Sequence, residues 1–146
     1  MPAPTVPEPA LLLRAHGLRV TKQRLAVMST LAQRPHAAAE AVISAVRGEV
    51  GQVSTQAVYD VLNTLTDRGI LRRIQPAGST ARYELRVGDN HHHLVCRRCG
   101  SVVDVDCAVG RAPCLAADPS PGFVVSEAEV TFWGLCQDCS TTSATP

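Results

Sequence analysis

The sequence has few aromatic residues and no long apolar run. Phenylalanine, tryptophan and tyrosine make up only 3% of its 146 residues, so aliphatic side chains must fill the core. Proteins that bind single-stranded nucleic acid stack bases on aromatic rings, and that class is therefore disfavoured. No stretch approaches the ~20 apolar residues of a membrane-spanning helix. The first ten residues contain four prolines and no basic segment leading into an apolar one, so we expect no secretory signal, no membrane partner and a cytoplasmic protein.

The charge is divided unevenly along the chain. The overall formal charge is +1, but residues 1–85 hold ten Lys/Arg against six Asp/Glu, and residues 86–146 hold four against seven. The two parts therefore carry +4 and −3. This division suggests an N-terminal half that meets a polyanion, although a chance scatter of surface charge would give a similar split.

The N-terminal half has the pattern of a winged helix-turn-helix. Helices are predicted from Ala10 to Ala15, after the capping residue Thr21, and from Ala38 to Glu49. Ser54 can cap a fourth helix that Gly69 closes, and its apolar residues recur at helical spacing. Two short strand-like segments, residues 70–74 and 81–85, then flank a turn.

The helix that precedes the wing enters the DNA major groove in such domains. Its exposed first turn supplies the candidates for base contact, and basic residues around it are candidates for phosphate contact. The residues are Thr55, Gln56, Tyr59, Arg19, Lys22, Arg24 and Arg73. Alternatively, the helices form a purely structural domain and the arginines are a solvated surface.

Two C-x-x-C pairs, Cys96/Cys99 and Cys136/Cys139, predict a tetrahedral zinc site with four sulfur ligands. Such a site has no open position for a substrate and is structural. The alternatives are unrelated thiols or a redox-active pair, and the redox interpretation is disfavoured because neither pair is expected to open a helix after a strand.

A second metal site is predicted around three consecutive histidines. On a strand, His91 and His93 point to the same side. Glu84 and Asp104 on neighbouring strands could join them, as could His36 from the N-terminal half. Nitrogen and oxygen donors without thiolate suit Fe(II), Mn(II) or Zn(II). A surface histidine run, with His36 elsewhere, is the alternative.

These features together resemble one family of regulators. The segments Thr55-Gln-Ala-Val-Tyr59, Arg82-Tyr83-Glu84, His-His-His-x-x-Cys-x-x-Cys-Gly and the terminal C-x-x-C are similar to the ferric-uptake-regulator (Fur) family of metal-dependent repressors. Residues 57–62, 87–93 and 104–110 resemble its FurA/CatR branch, which represses catalase-peroxidase genes in response to oxidants. Asp60 stands where many members have arginine.

The resemblance implies a homodimer that binds a palindromic operator in double-stranded DNA, with no small-molecule substrate. It implies structural Zn²⁺ at the four cysteines and a regulatory Fe²⁺ or Mn²⁺, or Zn²⁺ in vitro, at the histidine cluster. Peroxide would release the repressor through oxidation of His36 or His91, or through a disulfide that involves Cys107 and Cys114 or the zinc cysteines. Cys107 and Cys114 could equally be small buried hydrophobes.

Three other functions remain open at this point. An iron-responsive repressor of uptake genes would use the same sites. A metalloenzyme would need an open coordination position, and a zinc-ribbon interaction module would have no specific DNA affinity.

The expected fold is α+β: a winged helix-turn-helix domain and a small C-terminal α/β dimerisation domain with the four-cysteine zinc site. The expected segments are a flexible arm (1–9), the DNA-binding domain (10–85), a hinge (86–90), the dimerisation and metal-binding domain (91–140) and a tail (141–146).

Overall fold

The computed structural model describes residues 7–85, 91–106, 121–124 and 129–142. The chain divides into two compact units, Met1–Val87 and Gly88–Pro146. The expected hinge, most of the expected arm and the last four residues lie outside the described ranges.

Four helices form most of the first unit, in the order that the sequence predicts. They are α1 (Pro9–Ala15), α2 (Lys22–Gln33), α3 (Ala39–Val50) and α4 (Thr55–Asp67). Both predicted caps are present: the Thr21 hydroxyl accepts from the Arg24 N–H at 3.2 Å, and the Ser54 hydroxyl accepts from the Ala57 N–H at 3.0 Å. Each cap satisfies an N–H that the helix itself leaves without an acceptor, which fixes where the helix begins.

Helix α4 buries one face and exposes the other. Its fully buried residues, Val58, Leu62 and Leu65, lie at helical spacing and pack into a core built from all four helices. Gly69 follows the helix at φ 74°, a conformation that glycine adopts without strain. The face opposite the core is therefore left to polar residues.

A three-stranded antiparallel sheet completes the first unit. The predicted hairpin forms strands β2 (Arg72–Ile74) and β3 (Arg82–Glu84). A third strand, β1 (Ala37–Ala38), pairs with the other edge of β3, and the order is β1-β3-β2. Ala38 is therefore a strand residue and not, as the sequence pattern predicts, the first residue of α3. A two-residue strand has no sequence pattern of its own, so β1 is not predicted.

The second unit is built on another three-stranded sheet. Strands β4 (His91–Cys96) and β5 (Val102–Asp106) are antiparallel, and β6 (Thr131–Gly134) runs parallel to β4 on its other side. Helix α5 (Gln137–Thr142) follows β6. It includes two residues assigned above to the tail, since the Thr141 hydroxyl donates to the Gln137 carbonyl at 3.0 Å.

The β-branched or alternating character of the sequence from Phe123 to Leu135 predicts a strand over that range, and the observed strand is shorter. Only Thr131–Gly134 is a strand, and residues 125–128 lie outside the described ranges. Phe123 and Val124 are 79% and 98% exposed and belong to no strand. Their residue types favour strands only where a neighbouring strand offers a surface to pack on. The α+β class with a winged-helix unit and a cysteine cluster in the C-terminal region is as predicted.

Candidate metal centres and DNA-binding helix

The four cysteines of the second unit converge on one point. Their sulfur atoms all lie within 4.8 Å of one another, and the Sγ atoms of Cys99 and Cys136 are 3.8 Å apart. The parallel pairing of β4 with β6, which sets Cys96 opposite Gly134, brings the two C-x-x-C segments together. This juxtaposition depends on residues about forty positions apart in sequence.

Local hydrogen bonds shape each C-x-x-C turn. Gly100, at φ 76°, donates its N–H to the Cys96 carbonyl at 3.0 Å and closes the first turn. Ser140 donates to the Cys136 carbonyl at 2.9 Å in the second. Arg98 links the two, since its Nη1 donates to the Cys139 carbonyl at 3.2 Å. The backbone thus holds the four sulfurs in place.

The thiols differ in how readily they ionise. Hydrogen bonds from the backbone of Cys99 and then of Cys136 lower the pKa of Cys96 to about 5. Hydrogen bonds with the Ser101 side chain and backbone lower the pKa of Cys99. The side-chain hydrogen bond with Cys136 is the main reason that the pKa of Cys139 rises to about 12. Several thiolates this close together repel one another, and a bound cation would offset their negative charge. A set of four sulfur ligands is typical of structural Zn²⁺ sites.

The expectation that neither C-x-x-C pair opens a helix after a strand is wrong. The second C-x-x-C pair does open a helix after a strand, because Cys136 follows β6 and Cys139 lies in α5. The convergence of both pairs within 4.8 Å nevertheless favours one four-sulfur metal site over an isolated redox dithiol.

The second unit also brings together two histidines and an aspartate. His91 and His93 lie on the same side of β4, with ring centroids 5.1 Å apart, and both are buried. Asp104, the register partner of His93 on β5, places Oδ1 3.6 Å from Nε2 of His91 and 3.4 Å from Nε2 of His93. Two imidazoles that face one carboxylate suit a borderline divalent cation.

The other two predicted ligands meet within the first unit. Nε2 of His36 lies 3.0 Å from Oε2 of Glu84, and both side chains are buried. His36 has φ 67°, in the left-handed region that a histidine rarely adopts. Two hydrogen bonds to its backbone hold it there: its N–H donates to the Tyr83 carbonyl at 3.1 Å, and its carbonyl accepts from Nη1 of the Arg82 side chain at 3.1 Å. The left-handed backbone at His36 has no signal in the sequence.

The predicted DNA-contacting residues occupy different environments. Thr55 and Gln56 are exposed at the start of α4, whereas Tyr59 is half-buried against the core. Arg19 and Lys22 are exposed before and at the start of α2. The half-buried Arg24 donates to the Arg19 carbonyl at 2.7 Å. Arg73 is exposed on β2 and donates to Gln75 at 3.1 Å.

Sequence reasoning missed Arg47, which braces the turn before α4. Its Nε donates to the Val53 carbonyl at 3.0 Å and its Nη2 to the Thr55 hydroxyl at 3.1 Å. The arginine thereby ties the end of α3 to the first residue of α4. A basic residue in the last turn of a helix is common, and nothing in the sequence distinguishes this one.

Comparison with known proteins identifies the family. The model of the ferric uptake regulator family matches residues 15–113. The transcriptional regulator FurA of Mycobacterium tuberculosis is 57% identical over 136 residues, which are 93% of this chain and 92% of that protein. The chain belongs to the ferric uptake regulator family. The ferric uptake regulation protein 1 of Mycolicibacterium fortuitum is 58% identical over 122 residues, which are 84% of this chain and 76% of that protein.

Solved Fur structures share the fold. The ferric uptake regulator of Pseudomonas aeruginosa, solved with manganese, superposes with a TM-score of 0.65 at 25% identity and covers 88% of this chain and 98% of that one. The family and its named relatives are transcriptional regulators and not enzymes, so the metalloenzyme interpretation is not retained. The chain is a Fur-family transcriptional regulator.

Cys107 and Cys114, the predicted redox thiols, both lie outside the described residues. Within the described ranges, no helix has the length and apolar character needed to cross a bilayer.

Proposed function

We propose that the protein is a metal-dependent, redox-responsive repressor that binds a palindromic operator as a homodimer in the cytoplasm and releases it on exposure to peroxide. The observation that carries the proposal is the cluster of His91, His93 and Asp104, with each imidazole within 3.6 Å of the carboxylate. A regulator needs a site whose occupancy follows the state of the cell, and a buried cluster of nitrogen and oxygen donors provides one.

The proposed regulatory ligands are His36, Glu84, His91, His93 and Asp104. The donors suit Fe(II) or Mn(II), and Zn(II) would also bind in vitro. Because His36 and Glu84 belong to the first unit and the other three to the second, an ion bound by all five would couple the two units. Metal binding would then select a conformation in which the DNA-binding helices match the operator. The four cysteines would hold a structural Zn²⁺.

The proposed DNA contacts are those at the start of α4 and on the surrounding basic surface. Thr55 and Gln56 are exposed at the helix N-terminus, where they would reach base edges. Arg19, Lys22, Arg24 and Arg73 would contact phosphates, and Tyr59 would contribute through the exposed part of its ring.

The proposed dimer interface is an exposed apolar surface on the sheet of the second unit. Leu94 on β4 is the register partner of both Val103 on β5 and Phe132 on β6. The three side chains are 44%, 55% and 48% exposed. Three neighbouring apolar side chains exposed on one sheet are typical of a protein interface. Leu94→Glu is expected to give monomers in sedimentation, with Leu11→Glu as the matched control on another exposed leucine.

With Fe(II) bound, one peroxide oxygen would be added to a ring carbon of His36 or His91 and the other would leave as water, which is a two-electron oxidation of the histidine by peroxide. The oxidised ring would then bind metal less well. Alternatively, Cys107 and Cys114, or the zinc cysteines, would form a disulfide. A catalase-peroxidase gene and the regulator's own gene are the proposed targets.

The deciding experiment is an anaerobic titration. The zinc-loaded protein is mixed with Fe(II), Mn(II) or Zn(II) on the DNA upstream of its own gene, and peroxide is then added. DNA binding that requires metal, and that peroxide abolishes only in the Fe(II) sample, is the expected result. Equal release from all three metals would instead assign sensing to the cysteines. Mass spectrometry that finds no added oxygen on His36 or His91 after release would exclude the histidine route.

An iron-responsive repressor of uptake genes is the second candidate. The name of the Mycolicibacterium fortuitum relative, a ferric uptake regulation protein, favours it. This candidate predicts that removal of iron releases DNA while peroxide has no effect on the iron-loaded protein.

A further inference from the structure

Two exposed polar residues of α4 are joined by a hydrogen bond. Gln56 and Asp60 lie one helical turn apart, and Nε2 of Gln56 donates to Oδ1 of Asp60 at 2.8 Å. Both are exposed, on the side of the helix opposite the buried Val58, Leu62 and Leu65. In a winged helix this is the side that enters the major groove.

The carboxylate of Asp60 fixes which way the Gln56 amide faces. A carboxylate only accepts hydrogen bonds, so the amide must turn its nitrogen, and not its oxygen, toward Asp60. When the N–H that lies trans to Oε1 makes this bond, Oε1 and the other N–H remain side by side on the open edge. An acceptor next to a donor matches the N6 donor and N7 acceptor of adenine.

The negative charge of Asp60 indicates that this residue contributes to sequence specificity and not to affinity. A negative side chain on the DNA-facing surface is repelled by phosphates and lowers affinity for every sequence alike. Such a residue is tolerated on a DNA-binding surface where it improves discrimination between sequences.

We propose that Asp60 is a positioning residue that orients Gln56 to read an adenine in each operator half-site. This inference rests on the proposed function, because it requires that α4 enters the major groove of an operator. Asp60 acts through Gln56 and makes no base contact of its own.

The test is selection of binding sites from a library of randomised double-stranded DNA by the metal-loaded, full-length protein. The variants are Gln56→Ala, Asp60→Ala, Asp60→Asn and the Gln56→Ala/Asp60→Ala double variant. Asp60→Asn keeps an acceptor, but its amide also donates, so it leaves the orientation of Gln56 undefined. Asp67→Asn, which removes an exposed carboxylate from the last turn of α4, is the matched charge control.

The expected result is loss of about tenfold or more in preference for adenine at one half-site position, the same position for Gln56→Ala and Asp60→Ala. The double variant should lose no more than either single variant, because both act on one contact. Asp60→Asn should lose part of the preference while binding unrelated DNA at least as well as the wild type. Asp67→Asn should leave the base preference unchanged.

The inference alone would be overturned if Asp60→Ala changed the affinity for all sequences equally. It would also be overturned if Asp60→Ala changed the base preference at a different half-site position from Gln56→Ala. A wild-type protein that selects no sequence would overturn the proposed function, and the inference with it.

Discussion

Replacement of Cys96 by serine is expected to unfold the second unit and to leave the first unit folded. The two units differ sharply in their buried apolar content. Of the buried hydrophobic side chains among the described residues, only Val95 and Cys96 belong to the second unit, and the others form the core of the first. The sheet of the second unit instead buries the polar rings of His91, His92 and His93.

The magnitudes favour the proposed structural zinc as the main source of stability in the second unit. Burial of a valine contributes about 1.5–3 kcal/mol. A structural zinc site contributes roughly 10–16 kcal/mol of apparent binding free energy in zinc-finger peptides. Loss of the zinc ion that the four cysteines are proposed to hold would therefore remove more free energy than the apolar contacts around Val95 can replace.

The single tryptophan provides a selective assay. Trp133 lies on β6, with the guanidinium of Arg97 5.0 Å from its ring centroid, so its fluorescence reports on the second unit alone. The helical circular dichroism reports mainly on the first unit, which holds α1–α4. In Cys96→Ser, the Trp133 emission should shift to that of an unfolded chain while the helical signal keeps a cooperative melting transition.

The reasoning is refuted if Cys96→Ser binds no zinc and still keeps the native Trp133 emission. The second unit would then be stable without its metal, and the cysteine cluster would not be structural. Removal of zinc from the wild type with a chelator is an independent route to the same comparison.

Three further predictions follow from the first unit and from the thiols. Ser54→Ala removes the cap of α4 and should cost about 1 kcal/mol, which lowers the melting temperature of the first unit by about 4–8 °C; Ser54→Gly should cost only a few tenths of that in the same melting experiment. The affinity of the metal-free protein for zinc should rise with pH above neutrality, because zinc must displace the proton of Cys139, whose pKa is raised to about 12. The affinity should fall further at pH values below the pKa of Cys96, which is about 5. Calorimetry that finds no pH dependence would contradict these thiol protonation states. Arg47→Ala should weaken operator binding without loss of zinc, since it frees the start of α4 from Val53 and Thr55, and unchanged affinity in a gel-shift titration would show that the brace is unimportant.

The first unit was predictable where its signals are local and repeated. Helix α4 combines a capping serine, an apolar stripe and a closing glycine, which all indicate the same element. Strand β1 had no such support, since Ala37 and Ala38 are extended only because β3 offers them a partner. The same holds for the Arg47 brace, which joins two helices through a turn.

The candidate sites were predictable as residue types but not as arrangements. Strand alternation was enough to place His91 and His93 on the same side, and the C-x-x-C spacing was enough to identify the thiols. The convergence of the two thiol pairs depends on the parallel pairing of β4 with β6, which links segments distant in sequence. The left-handed backbone of His36 is imposed by hydrogen bonds to Tyr83 and Arg82, so it could not be inferred from the histidine itself.

The small number of buried apolar side chains among the described residues of the second unit bears directly on regulation. A domain held mainly by burial of its own side chains keeps its structure whatever the concentration of a ligand, whereas one held by metal and by a partner changes stability with their occupancy. Strand β4 carries the proposed zinc ligand Cys96 and the proposed regulatory ligands His91 and His93. Leu94, part of the proposed dimer surface, lies between His93 and Cys96 on the same strand. A change in metal occupancy at either site would thus act on the strand that also carries the proposed dimer contact. Leu94→Glu should accordingly lower affinity for the regulatory metal as well as dimerisation, and an unchanged metal affinity in the monomer would separate the two properties.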